Sequence, residues 1–494
     1  MPGSYKHFID GKWQSFGKEY FDDFSPVNGR SIARFSLGTR EDAKHAIESS
    51  HKALDSWSDT PAPVRGKIVF RCAQLLEQKK EELSKLLVLE NGKILKEARG
   101  EVQEAIDLAF YAAGEGRRLF GETTKSELRN KTAFTVRMPI GVVSLITPFN
   151  FPIAIPAWKI FPAIVAGNTC VIKPAEDTPL MTTKMVELLV KAGLPKGVVN
   201  IVNGFGEELG PELIDNELVE GVSFTGSREV GSQIMQQCGK HIKHCSLELG
   251  GKNPVIVMDD ADLDLAKEAI LFGAFGTAGQ RCTATSRIIV HKKIKEKLMH
   301  KLLAKTKFLR LGNPLSEKTD IGPLINLQAL EKVSSYCIIG QEEGARLLLG
   351  GKQAKVPPYR KGYFFEPTIF DEVSPEMRIA REEIFGPVLS VIEFSELNEA
   401  IKIANNVDYG LSASIFTQDI NNAFHAIDKI HCGVQYVNSA TIGAEIQLPF
   451  GGVKRTGNGF REAGSEAIKE FTEIKSVFID YSGRLQKAQI DVEK

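Results

Sequence analysis

No excess of either charge marks this chain. Lys+Arg and Asp+Glu both number 62 among 494 residues, giving a formal net charge of zero. A nucleic-acid binder carries a basic surplus or stripe, so that class is disfavoured. Blocks of five or six like charges are missing too. The most charged runs, KKEELSKLL (79–87) and HKKIKEKLMHK (291–301), keep helical spacing and read as solvated helix faces. Cysteine is sparse, at positions 72, 170, 238, 245, 282, 337 and 432, with an odd count, wide spacing and no CxxC pair. That excludes a disulfide framework and a thiolate zinc site, and it suits a reducing compartment. The nine histidines show no HExxH or other ligand spacing, so no metal site is expected. No stretch approaches the ~18–20 apolar residues that span a bilayer. The opening MPGSYKHFIDGKW lacks an apolar signal-peptide core. The expectation is a cytoplasmic protein with neither a membrane nor a nucleic-acid partner.

What is present is α/β alternation on a scale that requires two or three domains. IDGKW and SPVNGR punctuate short β-like runs in the first forty residues and predict a surface hairpin. From Arg40 to about Leu119 apolar residues recur at three- and four-residue steps, a helical pattern. IGVVSLI (140–146), TCVIK (169–173), GVVNIVNG (197–204) and VEGVSF (219–224) then alternate with helical segments. The helix after TCVIK reads with Thr178 as its N-cap and Pro179 in its first turn. Such alternation writes a parallel, doubly wound sheet, which binds ligands at the carboxyl ends of its strands. NPVIVM, SRIIVH and VQYVN (434–438), with helical patterns between them, suggest a second α/β domain. TAFTVRMP (132–139) and EIKSVFIDY (473–481) alternate and are β-rich, as edge strands that pair with another subunit or as plain sheet edges.

Several short stretches carry residue types suited to chemistry. TGSREVG follows Phe224 at the end of a strand and opens a helix, and Gly226, Ser227 and Gly231 give backbone access to a phosphate at the helix N-terminus. VIKPAE places Lys173 and Glu176 past a neighbouring strand, where a carboxylate suits ribose hydroxyls and repels a 2′-phosphate. LELGGKNP offers Glu248 as a general base if burial raises its pKa. TPFNFP holds Asn150 as a rigid amide donor for an oxyanion. EEIFGPV gives Glu383 and Phe385 ahead of a turn. In GTAGQRCTATSR, Cys282 sits among small residues between two arginines, as a core thiol or as a nucleophile.

TPFNFP, KPAE, FTGSREVG, LELGGKNP, GQRCTATSR, EEIFGPV and PFGGVKRTG, in this order, resemble the aldehyde dehydrogenase superfamily. The resemblance runs from FIDGKW to EIKSVFIDY. It implies an α/β fold with a Rossmann-type NAD-binding domain (1–118 and 140–248), a catalytic domain (249–455) and a small β oligomerisation element (119–139 and 470–494). It implies Cys282 as nucleophile, Glu248 as general base and Asn150 as oxyanion amide. Thr147, Pro148, Phe149, Lys173, Glu176, Phe224, Gly226, Ser227, Gly231, Glu383 and Phe385 are the implied cofactor contacts. Arg461, Glu462 and Glu473 match a charged cluster that supports the active site and subunit interface. The reaction implied is oxidation of an aldehyde or semialdehyde to the acid by a homodimer or homotetramer, through a thiohemiacetal and a thioester. NAD is favoured by Glu176, with NADP possible. Phe151, Trp158, Arg281, Glu104 and Phe450 are the implied substrate contacts. Trp158, standing where an arginine serves succinic semialdehyde enzymes, disfavours that substrate. Glu104 and Arg281 resemble the α-aminoadipic semialdehyde branch, and GQRCTATSR resembles the α-ketoglutaric semialdehyde enzymes. A catalytically silent protein on the same fold is the competing class.

Overall fold

The computed structural model describes residues 3–492; positions 1, 2, 493 and 494, which fall within the expected terminal segments, lie outside the described residues. Strands Val142–Ile146, Thr169–Lys173, Val199–Ile201, Val219–Thr225 and His244–Glu248 pair in parallel. Their spatial order runs 244–248, 219–225, 142–146, 169–173, 199–201. The chain therefore moves outward on one side of Val142–Ile146 and then returns to its other side, making a topological switch point between 142–146 and 219–225. The last of these strands went unread in the sequence because LELGG resembles a turn.

The expected surface hairpin forms, His7–Ile9 against Lys12–Gln14, but it is not a free surface element. It extends the same sheet, antiparallel to Val199–Ile201, and Phe8 and Ile9 are buried. Asp10 and Gly11 both take positive φ (52° and 74°), the tight turn a two-residue hairpin requires.

Helices Arg40–Ser58, Ala62–Gln78, Lys80–Asn91 and Leu95–Glu115 fill the long helical stretch. Helix Ala154–Ala166 packs beneath Leu95–Glu115. It is apolar on all sides apart from Lys159, as a fully buried helix should be. Thr178 does occupy the N-cap position of helix Pro179–Lys191, but its side chain makes no cap. The buried Glu90 carboxylate caps it instead, accepting from the N–H groups of Leu180 and Met181. A buried carboxyl from a distant helix takes both N–H groups in place of the local hydroxyl.

A second seven-stranded sheet orders its strands 346–349, 368–371, 388–394, 285–291, 253–257, 412–416, 434–437. The two distant β-rich segments meet: Thr472–Asp480 pairs with Lys131–Pro139 antiparallel over nine residues, and Thr123–Lys125 completes a separate three-stranded sheet. No helix among the described residues is long and apolar enough to cross a membrane.

Candidate active site

Strand register sets the site. Ile146 is level with Lys173 and with Phe224, and Thr225 with Glu248, so the chemistry-bearing residues leave the sheet at one height. At the switch point a cavity of about 500 Å³ opens, bounded by Pro148, Phe149 and Asn150 on one side and Cys282, Glu383 and Phe385 on the other. Gly226 and Ser227 close one end. Ser227 caps helix Arg228–His241, its Oγ accepting from Val230 N–H at 3.3 Å, so the positive helix terminus faces the cavity. Phe149 and Phe385 meet edge to face at 5.8 Å. Glu383 accepts from Gly251 N–H at 3.0 Å, and a Cβ on Gly250 would overlap its carboxylate.

Thr147, Lys173, Glu176, Phe224, Gly231 and Glu248 stand behind or beside this cavity rather than in its wall. Lys173 is buried and its ammonium donates to Glu176 at 3.1 Å. Gly231 lets the helix approach Leu249, which a Cβ would strike. Asp177, Asn326, Gln328 and Lys332 do line the cavity and were missed. Asn326 is an N-cap, accepting from Ala329 N–H, and that short-range signal was readable in INLQAL.

The loop before Cys282 is unusual. Thr277, Ala278 and Gly279 all take positive φ (52°, 53° and 71°), a costly run for two residues with a Cβ. Helix Leu95–Glu115 holds this loop and the Asn150 loop from one face. Glu97 accepts from Thr277 N–H at 2.8 Å. Glu101 accepts from Ile153 N–H at 3.0 Å and Ala154 N–H at 3.3 Å. Lys93, paired with Glu101, donates to the Asn150 carbonyl at 2.8 Å. Asn150 Nδ2 donates to the Gln280 carbonyl at 3.1 Å. Asn253, inside LELGGKNP, fixes the far side by donating to the carbonyl of Cys282 at 2.8 Å.

Burial, and then the Glu383 and Glu248 carboxylates, push the Cys282 thiol up to about 12. Arg281 offers it no help. Its guanidinium turns away, 5.2 Å from the Phe151 ring and 5.9 Å from Phe272, with Glu97 at 3.7 Å. Glu248 is 3% exposed and neither carboxylate oxygen has a hydrogen-bond partner. Its carboxylate lies against the Cα of Gly451, where a Cβ would collide with it. Burial and the neighbouring Glu462 raise its pKa well above the usual range.

The implied substrate residues fall in two groups. Glu104, Phe151 and Arg281 line a second cavity of about 630 Å³ between helices Leu95–Glu115 and Leu263–Phe275. Burial, with Glu101 nearby, raises Glu104 to about 7. Trp158 and Phe450 instead pack edge to face at 5.0 Å. The C-terminal charged cluster also separates: Glu462 is buried against Lys159, whereas Glu473 lies on the outer strand bonded to His244 at 2.7 Å. Among the described residues no group of three His, Cys, Asp or Glu side chains is placed to hold a metal.

The sequence profile of the Aldehyde dehydrogenase family matches residues 13–477. The chain belongs to the aldehyde dehydrogenase family. It is 42% identical to the alpha-ketoglutaric semialdehyde dehydrogenase of Bacillus subtilis, across 96% of this chain and 98% of that one. It is 43% identical to the 2,5-dioxopentanoate dehydrogenase of Saccharolobus solfataricus, across 96% and 99%. The structure of betaine aldehyde dehydrogenase from Staphylococcus aureus in complex with NAD+ superposes with a TM-score of 0.95 at 37% identity, covering 97% of this chain and 95% of that one. The expected fold and enzyme class are thereby borne out, and a catalytically silent outlier has no support.

Proposed function

We propose that this aldehyde dehydrogenase oxidises a semialdehyde with a distal carboxylate, of the α-ketoglutaric semialdehyde type, to the diacid, with NAD as oxidant. The observation that carries the reading is the juxtaposition around Cys282. The nucleophile and the Asn150 amide share one cavity, while Arg281, the residue before it, lines the other. The two relatives named for this substrate add weight.

The first cavity suits NAD: the capped helix terminus and the glycines beside it suit phosphates, the Glu383 carboxylate can accept from ribose hydroxyls, and the Lys173–Glu176 pair stands beside the cavity for the second ribose. Once held by Gly226, Ser227, Glu176, Glu383 and Phe385, it supplies the hydride acceptor. In the chain's own part of the mechanism, the Cys282 thiol gives its proton to solvent and the thiolate Sγ adds to the aldehyde carbon. One Asn150 N–H stays on Gln280 and the other, with the Cys282 backbone N–H, donates to the new oxyanion. Loss of hydride leaves a thioester on Cys282. Glu248 takes a proton from water, the hydroxide adds to the thioester, and the acid departs as Cys282 is released. The substrate's far carboxylate pairs with Arg281. An amine-bearing semialdehyde is the second reading, favoured by Glu97 and Glu104 on the same cavity wall.

The same reading assigns 1–118 with 140–248 to cofactor binding, 249–455 to catalysis, and 119–139 with 470–494 to homo-oligomer formation in the cytoplasm. Supporting assembly, strand Thr472–Asp480 leaves one edge unpaired and exposes Ile474, Phe478 and Ile479. NADH formation across an aldehyde panel tests the function. A carboxylate-bearing semialdehyde is expected to exceed aliphatic aldehydes of equal length by about a hundredfold in kcat/KM. Equal turnover of all would remove Arg281 from recognition, and a superior amine-bearing semialdehyde would favour the second reading.

A further inference from the structure

Behind Glu248 a buried string of polar groups leads away from the cavity, and hydrolysis as described uses only its first member. Thr225, the strand partner of Glu248, donates to the Glu462 carboxylate at 3.4 Å. Glu462 pairs with Lys159, the one charged side chain in its apolar helix. Lys159 donates to Ser223 Oγ at 2.7 Å, and Ser223 Oγ donates to Glu470 at 2.7 Å. The side chains of Glu248, Glu462, Lys159, Ser223 and Glu470 are all buried. Three carboxylates thus share one buried ammonium, and such a cluster does not hold three negative charges. Arg461, the other cation acting on Glu248, is half-buried and donates to the Phe460 carbonyl. Lys159 donates both ways, to Glu462 and to Ser223, and Ser223 donates onward to Glu470, so the ammonium joins the two carboxylates. Glu470 and Ser223 line a narrow crevice together with His244, Ser246 and Phe460.

We propose that Ser223 and Glu470 form the outlet for the proton that Glu248 takes from water, with Glu470 as its terminal acceptor. The proposal rests on the Glu248 reading above. The Glu248 acid passes its proton to Glu462, after its carboxylate swings from Gly451 or through one bridging water. Glu462 returns a proton to Lys159 as Lys159 passes one of its own to Ser223. Ser223 passes its hydroxyl proton to Glu470, so Glu248 ends ionised and Glu470 protonated, with no electron moved. Neither Ser223 nor Glu470 touches the thioester; both are positioning residues for the proton. The groups facing Glu470 are Lys159, Glu462, the Ser223 and Ser246 hydroxyls, and the thiol of Cys245. Burial raises Glu470 to about 7, against the pull of Lys159, so it takes and releases a proton near neutrality.

Stopped-flow NADH formation, steady-state kcat from pH 6 to 9 and thermal melting of Ser223→Ala, Ser223→Thr and Glu470→Gln test this. Ser223→Ala and Glu470→Gln are expected to keep the first-turnover burst and the melting temperature while kcat falls about tenfold at pH 7. The share of the wild-type kcat decline below pH 7 that comes from protonated Glu470 is expected to be lost in Glu470→Gln, leaving the limb set by Glu248. Ser223→Thr, which restores the hydroxyl, is expected to restore kcat. Unchanged kcat in Ser223→Ala and Glu470→Gln overturns the proposal, as does a parallel loss of burst, kcat and melting temperature. A Glu248→Gln control that keeps full kcat overturns the base assignment and the outlet together. A control that behaves as a lost base, with the other two variants unaffected, overturns the outlet alone.

Discussion

Asn150 donates to the backbone carbonyl of Gln280 at 3.1 Å, bridging two loops that lie 130 residues apart and ending two residues before Cys282. The bond fixes the amide's orientation, so its second N–H is aimed before substrate arrives. Removing a preorganised oxyanion donor raises the barrier by about 2.7–4 kcal/mol. Asn150→Ala is therefore expected to slow the NADH burst about 10²–10³-fold while KM for the aldehyde moves little. A variant with altered KM and an unchanged burst would place the amide in binding rather than in the transition state.

Burial and the Glu383 and Glu248 carboxylates are what act most strongly on Cys282. With the thiol held near 12, the thiolate fraction gains about tenfold per pH unit through the neutral range. Alkylation of Cys282 by iodoacetamide without NAD is expected to accelerate steadily from pH 7 to 10, and saturating NAD to speed it at fixed pH. A plateau reached by pH 8 in the protein alone would mean that the chain itself stabilises the thiolate.

Glu248→Gln keeps the shape of the buried side chain and removes the base. The burst of NADH is expected to survive and steady-state turnover to fall about 10²-fold or more. A variant that loses its burst but deacylates normally would assign the thiol proton, rather than the water proton, to Glu248.

Glu104, raised to about 7, shares the second cavity with Arg281. Its folded-state pKa lies above that of a free carboxyl, so it is neutral below pH 7 and ionised above. Once ionised it competes for the Arg281 guanidinium and repels an anionic substrate. kcat/KM for a carboxylate-bearing semialdehyde is expected to fall as pH rises through 7, and Glu104→Gln to flatten that fall. Arg281→Leu is expected to raise KM for this substrate about 10–100-fold and to leave an aliphatic aldehyde nearly unaffected. Equal effects on both substrates would make Arg281 a scaffold residue.

Glu176 meets Lys173 at 3.1 Å past the end of its strand. A carboxylate there repels a 2′-phosphate. Glu176→Gln is expected to narrow the NAD over NADP ratio of kcat/KM by about tenfold. A wild-type enzyme using both cofactors equally would contradict the role.

Much of the candidate site could be named from the sequence because its signals are local. Asn150 among prolines and phenylalanines, Glu248 before two glycines and Cys282 among small residues each sit in a short motif, and their order along the chain gives the family. The supports were not legible. Glu97 and Glu101 look like ordinary acids on an amphipathic helix, yet they hold Thr277 and Ile153, 180 and 52 residues away. Glu90 displaced Thr178 as a helix cap for the same reason: cap propensity is local, while a buried carboxylate reaches across the fold. The His244–Glu248 strand was hidden because glycines after it read as a turn, and only pairing with Val219–Thr225 makes it a strand.

The sequence by itself determined the alternation of strands and helices, the switch of strand order that alternation permits, and the residue types at each motif, because periodicity and turn chemistry act over a few residues. Tertiary structure alone decided which motifs meet. It turned Arg281 away from Cys282, set Glu248 against Gly451 without a partner, split the five substrate candidates between a cavity and an aromatic pair, and joined Lys159 to Glu470. Those outcomes depend on side-chain direction and burial, which the packing of distant elements sets and no local pattern encodes.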